Sequence, residues 1–253
     1  MEVQEHISAL QADGVRLAAA AAAAGESAAV PSCPDWAVRD LLRHIGGVHR
    51  WATGIVTGPR TEPWRVDLDE VVGAWPADRD LVDWFGQGHA ALVAALTEAD
   101  PGLACWTFLA APSPLAMWAR RQAHETAIHR ADAELAAGRV PTAFGAPFGA
   151  DGVDELVSCF ITRGHGRLRA DPPRTLRLRC TDTAGDWLVR IGTGRVETTR
   201  CPAEDAGDAD CEVSGLASDL YLALWNRQGD DTLTIERDGS VLDLFREQVK
   251  VRW

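Results

Sequence analysis

The chain has 253 residues, with 25 lysines and arginines against 37 aspartates and glutamates, a formal net charge of -12 and a pI near 5.0. Length suits one large domain or two modest ones, each able to bury a real core. The acidic balance argues against nucleic acid and anionic membrane, which carry the same sign of potential. No apolar stretch is long enough to span a bilayer, and Met1-Glu2-Val3-Gln4-Glu5-His6 lacks the basic start of a leader, so the expectation is a cytoplasmic protein with small or neutral partners.

The six cysteines show no C-x-x-C pair and no short regular spacing, so reduced thiols are the default. Lys250 is the only lysine, and alanine, arginine, glycine and aspartate are in excess, a bias of a GC-rich source genome rather than of function.

Taken in chain order, the first half reads as helices. A first helix runs from about Val3 to the alanine run Ala18–Ala24 and stops at Gly25. Asp35 is positioned to cap a second helix starting at Trp36, in which Leu41, His44, Val48, Trp51 and Ile55 recur at spacings of three and four, placing His44 in an apolar stripe. Pro76 opens a third helix carrying Leu81, Trp84, Phe85, Gly88, Leu92 and Leu96, closed by Pro101. Ser113 and Pro114 give cap and first turn of a fourth helix running to Gly138, on which Trp118, Glu125, His129 and Ala136 share one narrow sector. Four long helices with apolar stripes predict a helical bundle, an architecture that builds metal sites from inward side chains on facing helices.

Glu125 and His129 are four residues apart, so their side chains stack on one helical face. Joined to His44, they form a carboxylate and two imidazoles with a fourth position left open, the ligand set of a catalytic zinc rather than of a cysteine-closed structural one. Alone, the Glu125 and His129 spacing equally describes a surface ion pair, and a lone histidine in an apolar stripe is usually a packed core residue, the reading kept for His89. His124-Glu125 does not extend to H-E-x-x-H, because the next histidine falls five residues on, so a metalloprotease is rejected and His124 is expected at the surface or behind the ligands. Asp132, three residues past His129, either orients a ligand imidazole or is a solvated helix-end carboxylate. Trp51 and Trp118 are candidates to line a pocket beside the metal, and Arg120 and Arg121 read as surface partners of carboxylates.

Proline and glycine cluster between Val140 and Gly149, marking a linker between a bundle at 1–142 and a second domain at 150–253. Beyond it, Asp151–Thr162 reads as one helix. Thr175–Cys180, Trp187–Ile191 and Val196–Thr199 then alternate apolar and polar residues as consecutive antiparallel strands, Cys211–Ser214 as a fourth, with helices over Ala217–Asn226 and Ser240–Val249. The glycines about His165 read as a turn, and Glu204–Asp210 as a solvated acidic loop.

The segments Cys33-Pro34-Asp35-Trp36-Ala37-Val38-Arg39-Asp40-Leu41-Leu42-Arg43-His44-Ile45-Gly46-Gly47-Val48 and Arg121-Gln122-Ala123-His124-Glu125-Thr126-Ala127-Ile128-His129-Arg130-Ala131-Asp132 together resemble the mycothiol-dependent maleylpyruvate isomerase family of the DinB-like superfamily. Val213–Arg227 looks like that family's C-terminal domain. The resemblance implies an α plus α/β architecture: a DinB-like four-helix bundle followed by a smaller sterol-carrier-protein-like α/β sandwich. It implies zinc held by His44, Glu125 and His129, and the thiol mycothiol as cosubstrate. Arg227 becomes a candidate catalytic anion clamp, since a guanidinium matches a carboxylate bidentately. Asn226 departs from the motif, where glycine is expected. The activity implied is cis-trans isomerisation of a small unsaturated acid by thiolate addition, rotation and elimination. The alternatives are a mycothiol S-transferase acting on another electrophile, or a non-catalytic metal-holding ligand-binding protein. Either a monomer or a homodimer is compatible with the sequence.

Overall fold

In a computed structural model of the chain, residues 1–58, 60–163, 166–201 and 208–250 are described. The chain divides into two compact units, Met1–Thr142 and Ala143–Trp253.

The first unit is helical. Helix α1 spans Val3–Ala24, α2 Val38–Val56, a short α3 Leu68–Val72, α4 Leu81–Glu98 after a 3-10 turn at Asp78–Asp80, and α5 Pro114–Ala136. Helix α1 lies against α5, and α2 against α4. The alanine run ends α1 at Gly25, which takes a φ of 83°, a left-handed conformation that costs glycine little. The core gathers Leu17, Leu41, Leu42, Ile45, Leu81 and Phe85 with Ala20, Ala21 and Ala133, whose small side chains let backbones approach.

Two starts differ from expectation. Helix α2 begins at Val38 rather than Trp36, because Asp40 rather than Asp35 satisfies the first amides: its carboxylate accepts from the Ala37 N–H at 2.9 Å. Trp36 is thereby left in the α1–α2 loop. Helix α4 begins at Leu81, five residues beyond Pro76. At α5 the capping is as read: the Ser113 hydroxyl accepts from the Ala116 N–H at 3.1 Å and Pro114 occupies the first turn.

Helix α5 lacks a solvated face. From Leu115 to Glu134 all but Ala116 and Arg120 are buried, and that stretch includes Arg121, Gln122, His124, Glu125, Thr126, His129, Arg130, Asp132 and Glu134. So many buried polar groups must satisfy one another. Arg130 donates to Glu134 at 2.7 Å and to the Thr142 carbonyl at 2.8 Å, and lies 3.1 Å from Asp13 of α1. Burial pushes the Asp13 carboxyl up in spite of that guanidinium.

The second unit opens with α6, Ala146–Asp154, which continues through a π-type turn over Glu155–Phe160. Strands β1 (Arg174–Cys180), β2 (Asp186–Ile191), β3 (Glu197–Arg200), β4 (Cys211–Gly215) and β5 (Thr234–Arg237) form one sheet in the order β3-β2-β1-β4-β5. Helix α7, Ala217–Leu224, joins β4 to β5, and α8, Ser240–Gln248, follows β5. The first three strands are antiparallel neighbours, as the short turns joining them imply, but β4 pairs with β1 in parallel and the short β5 was not foreseen. Alternation reports which face a side chain takes, not strand direction. One face buries Leu176, Leu178, Trp187, Val189 and Val213; the other carries Arg177, whose guanidinium reaches Asp186 at 3.0 and 2.5 Å and lies 3.6 Å from Glu212 on the neighbouring strand. Gly164, His165 and the stretch from Glu204 to Gly207 lie outside the described residues. No helix among the described residues is long and apolar enough to cross a membrane.

Candidate metal centre

Helices α2 and α5 bring three of the singled-out side chains together. His44, Glu125 and His129 each offer a ligand atom, and these atoms lie within 4.8 Å of one another. The His44 Nε2 is 3.5 Å from Glu125 Oε1, and the His129 Nε2 is 3.4 Å from the same oxygen. The side chain of His129 is fully buried, that of Glu125 is 5% exposed and that of His44 13% exposed, so the cluster meets solvent on the His44 side.

Those separations favour a shared cation over direct pairing. A charge-assisted N–H···O bond settles at about 2.7–2.9 Å, shorter than either contact. A tetrahedral ion with bonds of about 2.0–2.1 Å keeps its ligand atoms about 3.3–3.4 Å apart. The residues present therefore fit a small divalent ion in both donor type and spacing.

The surrounding groups hold this geometry. Arg121, one turn before Glu125 on α5, donates to Glu125 Oε2 at 2.7 Å and so directs Oε1 at the imidazoles. Burial by itself would raise the Glu125 carboxyl, but the Arg121 guanidinium and the two imidazoles override it and hold it well below the usual carboxylate range. At His129, burial is again the largest influence and pushes the ring down, yet Asp132 and Glu125 together hold it above its ordinary value. Burial pushes His44 down, the nearby Glu125 carboxylate only partly opposing it. Asp132 is fully buried and accepts from His129 Nδ1 at 2.8 Å, which turns Nε2 toward Glu125. The other Asp132 oxygen accepts from the Ser32 hydroxyl. Trp36 covers both rings, its centroid 5.1 Å from that of His44 and 6.2 Å from that of His129.

Both halves of the chain match family models: residues 7–134 match the mycothiol maleylpyruvate isomerase N-terminal domain, and residues 148–244 match the MDMPI C-terminal domain. The chain belongs to the mycothiol maleylpyruvate isomerase family. Crystal structures of the mycothiol-dependent maleylpyruvate isomerase share its fold: a histidine-to-alanine mutant at 14% identity and TM-score 0.64, and the unmutated form at 15% and 0.62, each match covering 93% of both chains. A comparison with curated proteins gives no match.

Arg227, the candidate anion clamp, lies in the second unit just after α7. Helix α7 closes in a Schellman turn: the Asn226 N–H donates to Ala223 O at 2.9 Å and the Arg227 N–H to Leu222 O at 2.8 Å. Asn226 therefore adopts a φ of 59°, which explains why glycine is expected there; asparagine is among the few other residues that tolerate it. Its side chain is further held by Arg246, with contacts of 3.1 and 3.2 Å. Arg227 is buried and donates to the Trp225 carbonyl at 2.7 Å.

The remaining singled-out residues have other partners. Trp118 donates to the Trp106 carbonyl at 2.9 Å and Trp51 to the Trp64 carbonyl at 3.0 Å, and the two rings meet at 5.2 Å. They stand seven residues from Glu125 and His44 respectively, two turns or about 10 Å along the helices, within an aromatic cluster that includes Trp106 and Phe108. The tryptophan against the His44 and His129 rings is instead Trp36. His89 bonds the Leu10 carbonyl at 3.0 Å and packs on Phe85 and His49. His124 is fully buried rather than at the surface, its ring against that of His6. Arg121 is likewise buried, not a surface partner. Its sequence signal is its place four residues before Glu125: a carboxylate turned inward needs a countercharge on the same face.

Proposed function

We propose that the chain is a zinc-dependent enzyme that uses mycothiol as thiol cosubstrate and isomerises a small cis-unsaturated acid to its trans form. Membership of the family supports the thiol chemistry, and the convergence of His44, Glu125 and His129 on one point carries the metal reading. His44, Glu125 and His129 would hold the zinc, which would supply the positive charge that lowers a thiol's pKa toward the thiolate.

The chain's own residues prepare that chemistry. Arg121 keeps Glu125 anionic in a buried place, and Asp132 fixes the tautomer of His129. His44, the most exposed of the three, marks the side from which a thiol and its substrate approach. Arg227 is the proposed clamp for the substrate carboxylate, as the family motif implies.

The test is product analysis with purified protein, zinc, mycothiol and maleylpyruvate. The isomerase reading expects a trans product with free thiol regenerated and no net thiol consumption. A stable thioether would assign the chain to S-transfer instead. Neither product in a zinc-loaded protein would leave metal holding without turnover. Elemental analysis accompanies it: His44→Ala and Glu125→Ala are expected to lose zinc, and unchanged metal content in both would remove the site.

A further inference from the structure

Zinc sites on facing helices have their ligand rotamers fixed by whatever packs behind them, and here that backing comes partly from a loop. The α1–α2 loop is closed on itself: the Val30 N–H donates to the Trp36 carbonyl at 2.9 Å, the Cys33 N–H to Val30 at 2.9 Å and the Trp36 N–H to Cys33 at 2.8 Å, and Ala29 bridges Ala37. From this closed loop two side chains reach the candidate centre. Ser32 donates to the Asp132 oxygen that His129 does not use, a contact spanning 100 positions in sequence. Trp36 lies over both imidazoles, nearly parallel to that of His129 at an interplanar angle of 24°.

We infer that the α1–α2 loop is a clasp on the metal centre, with Ser32 as a positioning residue that acts on His129 through Asp132 and Trp36 as the lid that limits how the two rings can turn. This rests on the metal reading of the three ligands. Three observations converge: Asp132 is buried with its two oxygens held by different elements, Ser32 in the loop and His129 on α5; the loop's own backbone bonds set where Ser32 stands; and one indole packs against imidazoles from both helices. An anionic carboxylate gripped on both sides cannot rotate away from Nδ1, so Nε2 stays aimed at the ligand point. Because loop and ring restrain one another, occupancy of the centre and order of the loop are linked: an ion that fixes His44 and His129 also fixes the surface on which Trp36 rests.

The experiment uses the full chain and zinc alone, with affinity measured by competition against a chromophoric chelator. Loss of an outer partner of a ligand histidine weakens metal binding by about 10–100-fold, and Ser32→Ala is expected at the low end, about tenfold. Ser32→Thr, which keeps the hydroxyl, is expected to stay within about threefold of the parent. Hydrogen exchange supplies the readout that a merely structural serine would not move: in the parent protein the amides of Val30, Cys33 and Trp36 gain protection when zinc is added, and in Ser32→Ala that zinc-dependent gain falls away. If Ser32→Ala binds zinc within about twofold of the parent, or if zinc leaves loop exchange in the parent unchanged, the clasp is refuted while the metal site stands. If the parent binds no zinc, both readings fall together. Should Ser32→Ala fold poorly, the exchange measurement on the parent protein alone decides.

Discussion

Replacing Arg121 by methionine tests whether the buried charges of α5 are arranged around a cation. Arg121 and Glu125 meet at 2.7 Å with side chains 3% and 5% exposed, so the substitution strands a carboxylate with almost no water to solvate it. Removing one partner of a buried pair costs about 3–5 kcal/mol, far above the 0–1 kcal/mol of a surface pair. At about 2–4 °C per kcal/mol, that lowers the midpoint of thermal unfolding by roughly 6–20 °C. The cost should depend on metal. In chelator-treated protein Glu125 keeps only the imidazoles as countercharges, whereas saturating zinc supplies positive charge at Oε1 and stabilises the folded state by binding it. The deficit of Arg121→Met relative to the parent should therefore be largest in chelator and shrink with zinc. Urea unfolding followed by tryptophan fluorescence, in paired samples with chelator and with zinc, reads both quantities. A loss below about 1 kcal/mol in chelator, or the same loss with and without zinc, would refute the assignment of Arg121 as the countercharge of a metal-binding carboxylate.

Three further outcomes are expected from other parts of the structure. Asn226→Ala places a Cβ-bearing residue with no compensating side-chain bonds at a φ of 59°, and should lose about 1–2 kcal/mol in urea unfolding; an unchanged midpoint would contradict the left-handed turn after α7. Gly14→Ala on α1 sets a methyl 2.2 Å from the His89 ring and should destabilise by about 1–3 kcal/mol, checked by the shift in thermal midpoint; a neutral result would mean that His89 does not pack there. The Cys180 thiol is pushed up to about 12, first by burial and then by Asp182. A raised thiol is uncharged below its pKa, so only about one molecule in ten thousand is thiolate near pH 8, about a thousandfold less than for an ordinary thiol. Native-state alkylation with mass-spectrometric mapping should find Cys180 unlabelled near pH 8 and labelled once the chain is unfolded; prompt native labelling would contradict its burial.

How much of this was legible follows residue by residue. The four long helices were readable because apolar residues at spacings of three and four, together with Gly25, Ser113 and Pro114, are local signals that no distant contact needs to supply. The start of α2 was misplaced because Asp35 and Asp40 are both capable of capping a helix, and the choice between them depends on where the chain enters the bundle. On α5 the 3.6-residue period put Glu125 and His129 on one face, but it also implied a solvated opposite face that does not exist. Arg121 was consequently read too far outward, and of the two places offered for His124 the surface one fails. The strands β1 to β3 showed in their alternation, whereas β5, four residues long, carries too few positions to establish a period.

Amino-acid order alone determined the helical first half, the change to strands after Thr162, and the pairing of Glu125 with His129 one turn apart, because each depends on neighbours within a few residues. Tertiary structure decided that His44 meets them, that Trp36 rather than Trp51 or Trp118 faces the imidazoles, that Ser32 backs Asp132 from a hundred positions away, and that β4 runs parallel to β1. These are contacts across tens of positions. They are set by how buried charges find partners and how sheet edges find strands, terms that appear only when the whole unit is packed.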